Sequence, residues 1–120
     1  VQAVTKPPVP KEAQIQRAIM ARLQFLGVLA VHIPNEGKRS ARAGQRLKGE
    51  GMRPGWPDIA AYQNGRHALL EVKRPGYRPS AVSDSQKDCH ALLDEHGFPV
   101  AIVTSQDEAI DALRIAGFRV

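Results

Sequence analysis

A chain of 120 residues is the length of one domain, and 42% apolar with 24% charged residues is enough for a packed core and excludes a disordered chain. The single cysteine, Cys89, excludes an internal disulfide and a CxxC zinc pair, and no apolar run approaches the ~20 residues of a membrane span. The net charge of +5 is uneven: residues 1–80 hold fourteen bases and five acids, residues 81–120 three and seven. Such a field points to an anionic partner, nucleic acid ahead of a membrane surface.

Pro7, Pro8 and Pro10 make residues 1–10 an extended arm, with one domain expected over 11–120. Ile15, Ala18, Ile19, Leu23 and Leu26 then fall at helical spacing up to a stop at Gly27. A β-branched run over 28–33 reads as the first strand. From Pro34 to Trp56, five glycines and six bases (Lys38, Arg39, Arg42, Arg46, Lys48 and Arg53) predict a long irregular loop that tracks phosphates. The glycines do not form a P-loop, because no Gly-Lys-Ser/Thr follows at the required spacing. Segments 57–63 and 67–74 flank Asn64-Gly65 and read as a hairpin. A helix opens at Ser83 and stops at Gly97, a buried strand covers 99–104, and a last helix covers 106–116. The predicted order is αβββαβα, an α/β fold with a mixed sheet.

A two-residue turn at Asn64-Gly65 pairs Gln63 with Arg66, and the same register sets Asp58 opposite Glu71. Opposed like charges destabilise a sheet, so the pair calls for a cation, and hard oxygen donors suit Mg²⁺ or Mn²⁺. Lys73, two residues on, points to the Glu71 side, where its charge can orient a nucleophile at a phosphate. Ile59, Ala61, Ala68, Leu70 and Val72 fall on the other side, so chemistry and packing are expected on opposite faces. The bland alternative makes Asp58 a turn cap and Glu71 with Lys73 an exposed charge pair. The four histidines, at 32, 67, 90 and 96, show no ligand spacing and read as core or surface residues, with His67 on the Glu71 side near Tyr62. Cys89 reads as a small buried residue of its helix.

Pro57-Asp58 followed by Glu71-Val72-Lys73 resembles the PD-(D/E)xK nuclease signature. With Asn35-Glu36-Gly37, the run from Gly51 to Asp58, Arg74-Pro75 and Ser83-Asp84-Ser85-Gln86, the chain resembles the VRR-NUC (virus-type replication-repair nuclease) family from about Glu12 to Ala109. The resemblance implies a restriction-endonuclease-like αβββαβ core and a stand-alone, phage- or bacterial-type deoxyribonuclease that uses Mg²⁺ or Mn²⁺ and no small-molecule cofactor. It implies metal ligation by Asp58, Glu71, the Val72 carbonyl and Glu12, with Lys73 and Gln86 also in the active site. Glu12 reads equally as a first-turn acid favoured by the helix dipole, and Ser83 with Gln86 also forms a capping box. Arg74 joins the basic set expected to bind DNA. The expected role is cleavage of branched DNA, four-way (Holliday) junctions above all, by a homodimer in replication, recombination or repair. Flap or end processing, a catalytically inactive nucleic-acid-binding module and a protein-interaction domain are the alternatives. No membrane partner is expected. The first residues lack a charged-then-apolar leader pattern, so the expected location is the cytoplasm, that of the bacterial host if the chain is phage-encoded.

Overall fold

The computed structural model describes residues 7–34 and 41–120. Helix α1 spans Glu12–Phe25, where Gln14 accepts from the Lys11 amide at 3.0 Å and opens the first turn. Its Ile15, Ile19 and Leu23 are buried, and Gly27, at φ +76°, reverses the chain into strand β1, Leu29–His32. Helix α2 covers Ala41–Gly49. Strands β2 (Ile59–Gln63) and β3 (Arg66–Val72) follow, then a 3₁₀ turn at Pro79–Ala81, helix α3 (Asp84–Glu95), strand β4 (Val100–Val103) and helix α4 (Gln106–Ile115).

The sheet order is β1-β2-β3-β4, with the first two pairings antiparallel and β3–β4 parallel. This is a mixed sheet flanked by helices, as a restriction-endonuclease-like fold requires. Asn64 (φ +48°) and Gly65 (φ +79°) form the turn between β2 and β3, with the backbone signs of a type I′ hairpin. Gln63 pairs with Arg66, and the register expected from the sequence holds up to Ile59 and Leu70.

Each face of the sheet has its own core. Ile59, Ala61, Ala68, Leu70 and Val72 pack with α1 and α4 through Ile15, Ile19, Leu23, Ile110 and Leu113. The opposite face carries Ala60 and Leu69, which pack on Cys89 and Leu93 of α3 with Ile33, Trp56 and Val100 at the margin. The expectation that chemistry and packing take opposite faces is therefore corrected, because the α3 face holds a second core as well. Residue alternation cannot reveal this, since a strand covered on both sides is apolar on both.

The irregular reading of 34–56 is also corrected. Residues 41–49 are helical, which changes the order to αβαββαβα with a 3₁₀ turn before α3. Counting glycines obscured seven good helix formers in that stretch (Ala41, Arg42, Ala43, Gln45, Arg46, Leu47 and Lys48). Ala43 and Leu47 are half-buried on one side, whereas Arg42, Gln45, Arg46 and Lys48 are exposed on the other.

Candidate active site

Among the described residues, three charged side chains are buried: Asp58 at 5% exposure, Glu71 at 0% and Lys73 at 5%. All three lie where the β2–β3 hairpin opens, away from its turn. The ladder stops after Ile59–Leu70 because Pro57 fixes its own φ and has no amide hydrogen to contribute. The Val72 amide donates instead to Asp58 Oδ2 at 2.8 Å. The Asp58 carbonyl accepts from the Ile33 amide at 2.7 Å, and His32 Nδ1 lies 3.0 Å from it. Asp58 is thus bound to β3 through its side chain and to the end of β1 through its backbone.

Gln86 joins this corner to α3. Its Nε2 donates to Glu71 Oε1, while its Oε1 accepts from Lys73 Nζ at 3.2 Å and from the Ser83 amide at 3.0 Å. Ser83 Oγ accepts in turn from the Gln86 amide at 3.2 Å. The capping box expected from Ser83 and Gln86 is present, and it shares the Gln86 side chain with the contact to the buried charges. Lys73 Nζ lies 3.8 Å from Glu71 Oε1, and its backbone amide donates to the Val103 carbonyl at 3.0 Å.

Gly55 sets the approach of the chain to this corner. A Cβ there would sit 2.3 Å from the Ser85 carbonyl oxygen and 2.6 Å from the Gln86 nitrogen, and the residue has φ +80°. Only glycine lets the segment before Asp58 lie against the first turn of α3.

The remaining sequence-predicted residues are spread more widely. Glu12 begins α1, half-buried on one side with Gln16. Pro10, Gln14 and Ile15 line a cleft with residues 104–107, so this end of α1 lies at the end of the sheet where Lys73 leaves β3. Among the described residues no histidine, cysteine or further carboxylate forms a three-ligand cluster with Asp58 and Glu71. Arg42, Arg46 and Lys48 share the exposed side of α2, and Arg53 is exposed beyond its end. Arg74 donates to the Val9 carbonyl at 3.3 Å, which ties the arm to the exit of β3. Lys38 and Arg39 lie outside the described residues.

Sequence reasoning missed three residues here. His90 is one helical turn beyond Gln86; burial lowers its pKa, the Lys73 charge lowers it further, and the Asp58 carboxylate opposes both. Its Nε2 is buried without a hydrogen-bond partner among the described residues. The i, i+4 spacing from Gln86 was the available signal. His32 was visible only as a polar strand end, and Trp56 only as a member of the run from Gly51 to Asp58, with no role of its own.

Chemically, the corner offers two buried carboxylates beside one buried ammonium. Hard oxygen donors of this kind fit a divalent cation of the Mg²⁺ class, which binds through one or two carboxylates and keeps several waters.

The family model of the VRR-NUC domain matches residues 10–107. Two solved structures are similar to the chain. One, a VRR_NUC domain protein, is 18% identical with a TM-score of 0.66, covering 89% of this chain and 88% of its own. The other, a VRR_NUC domain, is 21% identical with a TM-score of 0.60, covering 86% of this chain and 94% of its own. At these identities the structures report the shared fold. The search of curated proteins returned no significant match.

The packing of Gly55 is directly testable. Gly55→Ala is expected to cost more than about 1 kcal/mol in urea unfolding, because the backbone is strained and the nearest atoms belong to the main chain. Gly44→Ala, inside α2 with nothing within 4 Å of the added Cβ, is expected to gain about 0.5–1 kcal/mol. Equal stabilities for the two variants would refute the close-approach argument.

Proposed function

This chain belongs to the VRR-NUC family, a family of nucleases, and from that premise we propose that it is a metal-dependent deoxyribonuclease with a preference for branched DNA. The observation that carries the reading is the clustering of Asp58, Glu71 and Lys73, the buried charges of the described chain, at one corner of the sheet. Asp58 and Glu71 would hold Mg²⁺ or Mn²⁺ with the Val72 carbonyl, while Glu12, which forms no cluster with the two carboxylates in this structure, is assigned as a further ligand by likeness to the family. When bound, the cation polarises a phosphate oxygen and lowers the pKa of a water molecule. Lys73, held by Gln86 and Glu71, supplies positive charge as negative charge grows on the phosphate. Gln86 fixes the positions of both side chains, so little reorganisation is left to the reaction.

The exposed bases of α2 and Arg53 are assigned to the DNA backbone. Arg42 and Arg46 are one helical turn apart, a spacing that lets both reach one strand. Lys38 and Arg39 belong to the same basic stretch, and Arg74 flanks the site.

Support for a homodimer comes from β1. Among the described residues it is an edge strand, Leu-Ala-Val-His, with no lysine or proline to block pairing. Its Leu29 (66%) and Val31 (44%) and the neighbouring Tyr62 of β2 (41%) are exposed, and the Tyr62 and His67 rings stack at 4.7 Å. A C2 pairing of this face would supply two equivalent sites, as two symmetric cuts in a four-way junction require.

Three expectations follow from these assignments. Cleavage of labelled DNA should need Mg²⁺ or Mn²⁺ and stop with chelator, and Glu71→Ala or Lys73→Ala should abolish it in protein with an unchanged circular-dichroism spectrum; full activity in Glu71→Ala would end the nuclease assignment to this corner. Binding should weaken with salt at a log–log slope of about −0.9 per phosphate neutralised, and alanine at Arg42, Arg46 and Lys48 together should flatten it by up to about three. Light scattering should give a dimeric mass at micromolar concentration, with four-way junctions cut in preference to linear duplex. A monomer that cuts both equally would favour flap or end processing.

A further inference from the structure

A pocket of about 380 Å³ opens beside the site, between the end of β1 and the segment that leads to Asp58, and is lined by Ile33, Pro34, Gly51, Met52, Arg53 and Trp56. It falls in the size range of small-molecule sites, about 300–1,000 Å³, and its described lining is mostly apolar with one cation, Arg53. Its position ties it to the chemistry: the Ile33 amide donates to the Asp58 carbonyl at 2.7 Å, and Trp56 precedes Asp58 by two residues. Its other side is continuous with α2. Gly51, at φ +101°, turns the chain at the helix end, and the Met52 amide closes back on the Leu47 carbonyl at 2.9 Å. A basic helix face therefore leads into an apolar, aromatic pocket within two residues of a buried carboxylate.

This order of surfaces has the polarity of a nucleotide, with cations for the phosphates and an indole with apolar walls for the base. We propose that the pocket takes one unpaired nucleobase of the bound strand, packed against Trp56 and Met52, next to the phosphate to be cut. The inference rests on the nuclease reading and deepens it by naming what the site selects: DNA in which a base beside the scissile phosphate is free to leave its stack. Paired duplex must first pay to unstack that base, whereas a branch point or single strand presents it at little cost. Selection for branched substrates then arises inside one protomer, independently of any dimer.

Trp56 is the sole tryptophan of the chain, so its emission reports on the pocket directly. The experiment titrates the full chain, in chelator, with a short adenine single strand and with an abasic strand of equal length and charge. Tryptophan emission and the anisotropy of labelled strands are recorded together. The base-bearing strand should quench Trp56 about twofold and bind about 5- to 100-fold more tightly than the abasic one. Trp56→Phe should keep the affinity ratio and Met52→Asp should remove it. Equal affinity with unchanged emission would overturn the pocket while leaving the nuclease reading intact. Failure of every strand to bind, together with absence of cleavage in metal, would overturn both.

Discussion

The 2.8 Å bond from the Val72 amide to Asp58 Oδ2 holds the site together. Two strands diverge at this point because Pro57 cannot continue the ladder, and a diverging pair would leave a buried amide without an acceptor. The Asp58 side chain takes the place of the missing backbone carbonyl. By closing the gap with a carboxylate, the sheet ends and a second anion is brought beside Glu71 in one step. The cost of placing two carboxylates and an ammonium out of water is offset by direct bonds, from Val72 to Asp58 and from Gln86 to Glu71 and Lys73.

The α3 helix contributes more than packing. Its first turn needs acceptors for its free amides, and Gln86 meets part of that need at Ser83 while also contacting two buried charges. Helix start and active corner therefore share one side chain, and movement of α3 is felt at Lys73. The absence of a side chain at Gly55 brings the lead-in segment against the same turn. Asp58, Glu71, Lys73 and Gln86 all come from one continuous stretch of chain, and the remaining elements press the sheet against it.

Much of this was legible in the sequence because the informative signals are local. Asn64-Gly65 fixed the hairpin register, Ser83 and Gln86 marked the helix start, and Gly27, Gly97 and Gly117 marked three helix ends, each with positive φ. The signals that failed depend on surroundings. Helix α2 was lost because glycines at 44 and 49 outweighed the residues around them, and the second core was hidden because a strand covered on both faces has no polar side to read. His90 was set aside as one of four scattered histidines. Its place beside Lys73 and Asp58 depends on where α3 crosses the sheet, which no spacing along the chain encodes.

Strand β3 places Leu70 and Val72 toward α1 and α4, and Leu69 and Glu71 toward α3. A slip of one residue would exchange the two sets. Both sets of apolar residues are interchangeable in kind, so hydrophobic pattern alone distinguishes poorly between the true pairing and the slipped one. The charges reinforce the choice that the Asn64-Gly65 turn makes. In the slipped sheet Glu71 and Lys73 would enter the layer formed by Ile19, Leu23 and Leu113, away from Gln86 and the Val72–Asp58 corner, at several kcal/mol for each unpaired ion. The residues assigned to chemistry thus also keep the hairpin in its frame, and a sequence that lost them would lose a safeguard against misfolding along with its activity.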